Sequence, residues 1–334
     1  MHAGTLSFTA EVAQATAPIY EKLAGQYQPG HWRALAPYIH EINRIKKQKN
    51  AIVLAHNYMT PDIFHGVADI VGDSLALARK AASTDAAIIC QATVLFMAET
   101  SKILCPDKII LQPDMEAGCS LADAITAADV RALRAQYPGL PVIAYVNTSA
   151  EVKAEVDVCC TSSNAVHIVN AMEADEVVML PDMYLAKYVA EQTSKTVHSW
   201  KGSCIVHEKF TAADLRKFRR QYDGITILAH PECPPDVLHE SDYAGSTAQM
   251  ISYVEKHKPK RVLLVTECSM SDNVAADHPD LELIRPCQLC PHMKRITLPK
   301  ILKSLLTMTH EVVVDPEVAA RARRPIERML ELSV

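Results

Sequence analysis

The sequence predicts an α/β fold. We expect three homologous αβα sandwich units with parallel sheets around a pseudo-threefold axis, plus helical N- and C-terminal extensions. Three observations carry that expectation. One pattern is repeated three times along the 334 residues. Within each copy, short apolar runs alternate with helical segments, as in a parallel sheet covered by helices on both faces. Finally, Cys119, Cys204 and Cys290 recur at intervals of 85 and 86 residues, one to a copy.

Taken in order, residues 1–48 form a helical extension, with apolar positions at helical spacing over 11–24 and 32–49. The copies follow at 49–134, 135–220 and 221–300. Each opens on an apolar, strand-like run, at 51–55, 141–145 and 225–229. A short polar loop comes next, then an aspartate five residues before a hydroxyl: Asp69 and Ser74, Asp157 and Ser162, Asp242 and Thr247. A second apolar run occupies 86–90, 176–180 and 261–265, and a third stretch leads to the cysteine. The tail, 301–334, is again helical, ending in a helix over 316–332. No linker rich in Gly, Pro or Ser divides the units, so they should pack closely.

Composition narrows the function classes. A hydrophobic fraction of 49% is that of a globular protein. A net charge of −5 argues against nucleic-acid binding, which needs a basic face. The one charged run, residues 44–49 (R-I-K-K-Q-K), reads as a solvated helix face. No segment approaches the roughly 18–20 apolar residues of a membrane span, and no signal-peptide pattern opens the chain, so a cytoplasmic location is expected. In that reducing compartment, ten cysteines imply ligands or core packing rather than disulfides. Cys90 and Cys105 sit in apolar runs and read as packing, and the adjacent Cys159 and Cys160 read as structural.

In such a fold, ligands gather beyond the carboxyl ends of the strands. That rule selects His56-Asn57-Tyr58, Tyr145-Val146-Asn147 and His230-Pro231-Glu232. These are polar residues where burial without a partner is costly. Ser74, Ser162 and Thr247 each stand where a helix should begin. One such hydroxyl is an ordinary cap. Three in register make a polyanion site, because helix N-termini favour carboxylate and phosphate. A lone cysteine is usually a small core residue, but three equally spaced ones form a ligand set. Cys119 is followed by a helix start, Cys204 lies in a loop with glycine, and Cys290 precedes Pro291, which suits a first helical position. A helix N-terminus lowers a thiol pKa towards the thiolate that metals need. Three thiolates on one axis suit an iron–sulfur cluster with one open iron. Cys287 adds a C-x-x-C with Cys290 but falls outside the shared interval, so it is read as a non-ligand.

The motifs A-H-N-Y (55–58), G-D-S-L (72–75), M-A-E-T (97–100), E-A-G-C-S-L-A-D (116–123), Y-V-N-T (145–148), T-S-S-N-A-V (161–166), G-S-C-I-V-H (202–207), H-P-E-C (230–233), S-T (246–247) and M-K (293–294) resemble the quinolinate synthase family. The resemblance runs from about residue 36 to the end of the chain. It implies three homologous αβα domains and a [4Fe–4S] cluster held by Cys119, Cys204 and Cys290. It implies an enzyme of NAD biosynthesis that condenses iminoaspartate with dihydroxyacetone phosphate, releasing phosphate and water to give quinolinate. It places His56, Tyr58, Ser74, Tyr145, Asn147, Ser162, His230, Glu232, Ser246 and Thr247 around the site, and L-aspartate oxidase as a functional partner by analogy. An open iron would act as a Lewis acid on a departing hydroxyl.

Within that site Glu232 is expected to be the general base, its pKa raised by burial, with Tyr58 as proton relay. His230 would orient a substrate carboxylate and Tyr145 would hold the pyridine precursor. The alternatives are a diphthamide-synthesis radical enzyme using S-adenosylmethionine, and a non-enzymatic Fe–S sensor. H-P-E-C and Y-V-N-T speak against the first, and the acidic composition speaks against a nucleic-acid-binding sensor.

Overall fold

Strand order alone shows the threefold repeat. The computed structural model describes residues 6–333; residues 1–5 and 334, which the two expected extensions include, lie outside the described residues. The first sheet comprises β1 (Ala51–His56), β2 (Ile70–Gly72), β3 (Ile88–Ala92) and β4 (Ile109–Leu111). The second comprises β5 (Val142–Tyr145), β6 (Val158–Cys160), β7 (Glu176–Leu180) and β8 (Thr196–Ser199). The third comprises β9 (Thr226–Ala229), β10 (Tyr243–Ala244), β11 (Arg261–Val265) and β12 (Glu282–Ile284). Their orders are β2-β1-β3-β4, β6-β5-β7-β8 and β10-β9-β11-β12. All pairings are parallel. In each sheet the chain leaves the first strand to one side and returns to the other. The switch point, where ligands collect, therefore lies at the ends of β1, β5 and β9.

The repeated aspartates explain how each sheet closes. Asp69 donates its N–H to the Val53 carbonyl (2.9 Å) and accepts the Val53 N–H on Oδ2 (2.7 Å). Asp157 does the same with Val142 (3.0 and 2.8 Å), and Asp242 with Ile227 (2.8 and 2.7 Å). Each carboxylate then meets a cation: Lys46 at 2.8 Å, Arg134 at 2.9 Å and Arg219 at 3.0 Å. Lys46 corrects the expectation of a wholly solvated 44–49 face, being buried and bonded also to the Val67 carbonyl at 2.5 Å. The polar loops that follow the first strands hold a second departure from expectation. Each carries a strand of two or three residues, β2, β6 and β10, too short to show a period.

Layering follows the period of two along the strands. In the third unit Ile227, Ala229, Leu263 and Val265 pack on one face, and Leu228, Val262 and Leu264 on the other. The terminal helices complete layers of the other units. Helix Pro29–Lys49 buries Trp32, Ile39, Ile42 and Ile45 and packs on β1 and helix Leu298–Thr307. Each such side chain contributes about 1.5–3 kcal/mol. Helix Pro316–Leu332 packs on β6 and helix Ala150–Lys153. Cys90, Cys105, Cys159 and Cys160 are buried. Among the described residues no helix is long and apolar enough to cross a membrane.

Candidate active site

The three switch points open onto one cavity, with about 730 Å³ of atom-free space including its mouth. His56 and Tyr58 reach it from the first unit, Tyr145 and Asn147 from the second, and His230 and Glu232 from the third. Cys119, Cys204 and Cys290 line the same cavity, as do Ser74, Ser162 and Thr247. Residues far apart in sequence meet because His56 and Tyr145 end strands of their units and the others follow strand ends of theirs.

His56 and His230 repeat one local device. The Tyr58 N–H donates to Nδ1 of His56 (3.2 Å), and the Glu232 N–H donates to Nδ1 of His230 (3.3 Å). Burial is the main influence on both rings. It lowers His56 from 6.5 to about 4, with Glu232 pulling the other way and Lys294 adding to the drop. It lowers His230 to about 3, opposed by Glu232 and reinforced by His207 and His56. Both rings are therefore neutral. With Nδ1 accepting, the proton sits on Nε2. Each histidine is thus a donor without a charge.

Glu232 departs from expectation. Burial alone would raise its pKa, but His230, His207 and the Tyr145 hydroxyl together hold the carboxyl well below the usual range. Tyr145 donates to Oε1 at 2.6 Å, and Oε2 lies 2.8 Å from Nδ1 of His207. His207 continues the chain: its Nε2 is 2.9 Å from the Thr266 hydroxyl, which is 2.6 Å from the Tyr58 hydroxyl. A hydrogen-bonded path thus joins Tyr145 to Tyr58 through Glu232, His207 and Thr266.

The cysteines share a second device. The sulfur of Cys119 accepts N–H groups of Leu121 and Ala122, that of Cys204 those of Val206 and His207, and that of Cys290 those of His292 and Met293. These bonds favour the thiolate, as expected, but burial outweighs them. The Cys119 thiol is pushed up to about 12, and Cys204 and Cys290 also rise. The expected lowering at helix starts is corrected: the short turns after each cysteine do not offset desolvation. Cys287 stands apart, exposed and outside the cavity lining.

The family model described as "Quinolinate synthetase A protein" matches residues 40–331. A quinolinate synthase of Sinorhizobium fredii is 58% identical over 327 residues, covering 98% of this chain and 91% of that protein. Quinolinate synthase 1 of Mesorhizobium japonicum is 57% identical over 319 residues, 96% and 98% of the two chains. A quinolinate synthase of Caulobacter vibrioides is 55% identical over 329 residues, 97% and 90% of the two chains. The chain belongs to the quinolinate synthase family.

As a member of this enzyme family, the chain presents a donor set that fits an iron–sulfur cluster. Three thiols, one per unit, line one cavity, each with backbone N–H groups on its sulfur. Cys204, His207 and Glu232 also lie with ligand atoms within 4.8 Å of one another, a group able to hold a metal ion.

Among the hydroxyls, Ser74 and Thr247 are the first residues of their helices, and the caps are the residues before them. Asp73 accepts the Ala76 N–H (2.9 Å) and Ser246 the Gln249 N–H (3.3 Å). Ser74 and Thr247 are thereby released from capping. Ser246 itself is fully buried, caps its helix and is hydrogen-bonded to Asp73, and it is not among the cavity-lining residues. Ser162 does not open a helix: it sits in the turn before helix Ala165–Asn170, hydrogen-bonded to Tyr145.

Sequence reasoning missed His207, Thr266 and the Glu267–Lys294 pair. Lys294 donates to the Tyr58 carbonyl (2.6 Å) and meets Glu267 at 2.9 Å, and Glu267 accepts the Cys290 N–H (3.3 Å). The available signal for His207 was its place three residues after Cys204, within G-S-C-I-V-H.

Proposed function

We propose that this chain condenses iminoaspartate with dihydroxyacetone phosphate to quinolinate, releasing phosphate and water, in the cytoplasm and as a step of NAD biosynthesis. The observation that carries this reading is the meeting, in one cavity, of a cysteine from each unit with the strand-end polar residues of all three. Cys119, Cys204 and Cys290 would hold a [4Fe–4S] cluster. When bound, it supplies an iron with an open position, a Lewis acid for loss of a hydroxyl.

The remaining work falls to the chain. Both substrates are anions, yet among the described residues lining the cavity none is Lys or Arg. Carboxylates and phosphate are therefore held by neutral donors: Nε2–H of His56 and His230, and the hydroxyls of Ser74 and Thr247, while Ser162 donates to Tyr145 and orients it. Ser246 contributes by fixing the start of helix Thr247–His257. Among the described residues Asn147 Oδ1 is buried without a partner, an acceptor for the N–H of iminoaspartate. Tyr145 holds the forming ring beside Glu232.

We assign removal of carbon-bound protons to Glu232. Its depressed pKa makes it a weak base alone, but a proton it accepts is shared with His207 at 2.8 Å. Tyr58 relays to the same carboxylate through Thr266 and His207. Iminoaspartate is unstable, so an L-aspartate oxidase is the partner we expect to supply it. An anaerobic assay with both substrates, beside an iron and sulfide count, tests the reading. It expects quinolinate in proportion to cluster content, and cluster-loaded protein that yields none would overturn it.

A further inference from the structure

Cys287 has no place in the proposed chemistry, yet its surroundings are built. It is exposed, and its backbone is left-handed, with φ 36°, a conformation costly for a residue other than glycine. Its Sγ lies 2.7 Å from the Sγ of buried Cys268, nineteen residues earlier, at the start of helix Cys268–Asp277. Backbone links hold the two together: Glu267 and Gln288 form a parallel bridge, and the Cys268 N–H donates to the Gln288 carbonyl at 2.9 Å. Cys290 faces elsewhere. It lines the cavity, its sulfur accepts the His292 and Met293 N–H groups, and its own N–H donates to Glu267. The two cysteines of the C-x-x-C therefore have different partners.

We propose that Cys268 and Cys287 are a redox-modification site whose disulfide spares Cys290. A C-x-x-C ordinarily closes on itself under oxidation, which here would consume a cavity thiol. Cys268 instead captures Cys287. The oxidant is a low-molecular-weight disulfide. The exposed Cys287, as thiolate, attacks one of its sulfurs, forming a mixed disulfide and expelling one thiolate. Cys268, having lost its proton, then attacks the Cys287 sulfur, forming the protein disulfide and expelling the second. Two protein thiols lose two electrons and two protons, and the small disulfide gains them as two thiols. The importance of sparing Cys290 rests on the cluster reading; the choice of partner does not.

The test treats metal-free protein with oxidised glutathione, alkylates remaining thiols and maps linked peptides by mass spectrometry. Cys268 joined to Cys287, with Cys290 alkylated, is the expected result. A Cys287–Cys290 link, or no intramolecular link, overturns the proposal. In Cys268→Ser the link should move to Cys290, and cluster-loaded C268S should lose absorbance several-fold faster under the same oxidant than wild type. Cys287→Ser, altered at an exposed position, should form neither link and keep its cluster. Equal loss in wild type and C268S would overturn the protective role. Failure to load any cluster would count against the cluster reading alone, since the peptide map still decides the pairing.

Discussion

Glu232 and His207 meet at 2.8 Å, Oε2 against Nδ1, with side chains only 5% and 2% exposed. One follows a strand end of the third sheet and the other follows Cys204, so the contact forms only when the units assemble. The pair anchors the path from Tyr145 to Tyr58, and Glu232→Gln tests it with little change of size. A base role predicts turnover lower by about 10²–10⁴ with KM and cluster absorbance retained. Tyr58→Phe, at the far end of the path, should cost less. Near-normal turnover of the glutamine variant would transfer the assignment to Tyr58.

His56 and His230 predict how metal-free protein responds to acid. Their folded pKa values, about 4 and about 3, lie below the ordinary 6.5. Above 6.5 both folded and unfolded chains hold these rings neutral, and the full stability is present. Below it the unfolded chain takes up protons that the folded chain refuses, so stability falls with falling pH until the folded values are reached. Glu232, depressed below the usual carboxylate range, acts in the same direction at lower pH. Each histidine contributes a slope of up to about 1.4 kcal/mol per pH unit within its window. Urea midpoints measured from neutral to mildly acid pH should drop, and His56→Gln should flatten the curve. A midpoint independent of pH would contradict the neutral-ring assignment.

Alanine at Cys119, Cys204 or Cys290 should abolish cluster absorbance after anaerobic reconstitution, whereas Cys287→Ala should retain it. The prediction follows from the cavity, which takes one cysteine from each unit and leaves Cys287 outside. Loss of the cluster in Cys287→Ala with retention in Cys290→Ala would reverse the roles within the C-x-x-C.

What the sequence made legible was what each unit repeats. The spacing of Asp69, Asp157 and Asp242 marked a device that proved to be a paired bond to Val53, Val142 and Ile227. The cysteine interval likewise marked three residues that line one cavity. Features formed between units left little local trace. His207 gains its meaning from Glu232, and Lys294 from the Tyr58 carbonyl and Glu267. Lys46 looked solvated because its partner Asp69 lies twenty-three residues away. The Glu232 ionisation is the same case: its burial is legible in the sequence, but the histidines and tyrosine that outweigh burial are not.

The hydroxyls offer the last test. Ser74 and Thr247 open their helices with caps already supplied by Asp73 and Ser246, so removing either hydroxyl should spare the helix start. Thr247 also accepts from the Asn57 amide at 2.8 Å, which leaves its own O–H to point elsewhere. A hydrogen bond to a charged ligand contributes about 1.5–3 kcal/mol, so Ser74→Ala and Thr247→Val should each weaken binding of an anionic substrate by roughly 10- to 100-fold. Melting temperature should barely move for Ser74→Ala, while Thr247→Val also frees the buried Asn57 amide and should cost some stability. Because no Lys or Arg lines the cavity among the described residues, salt should alter substrate affinity only weakly, by contrast with a site built on cations. Unchanged KM values for both substrates in Ser74→Ala and Thr247→Val would remove these hydroxyls from the binding site.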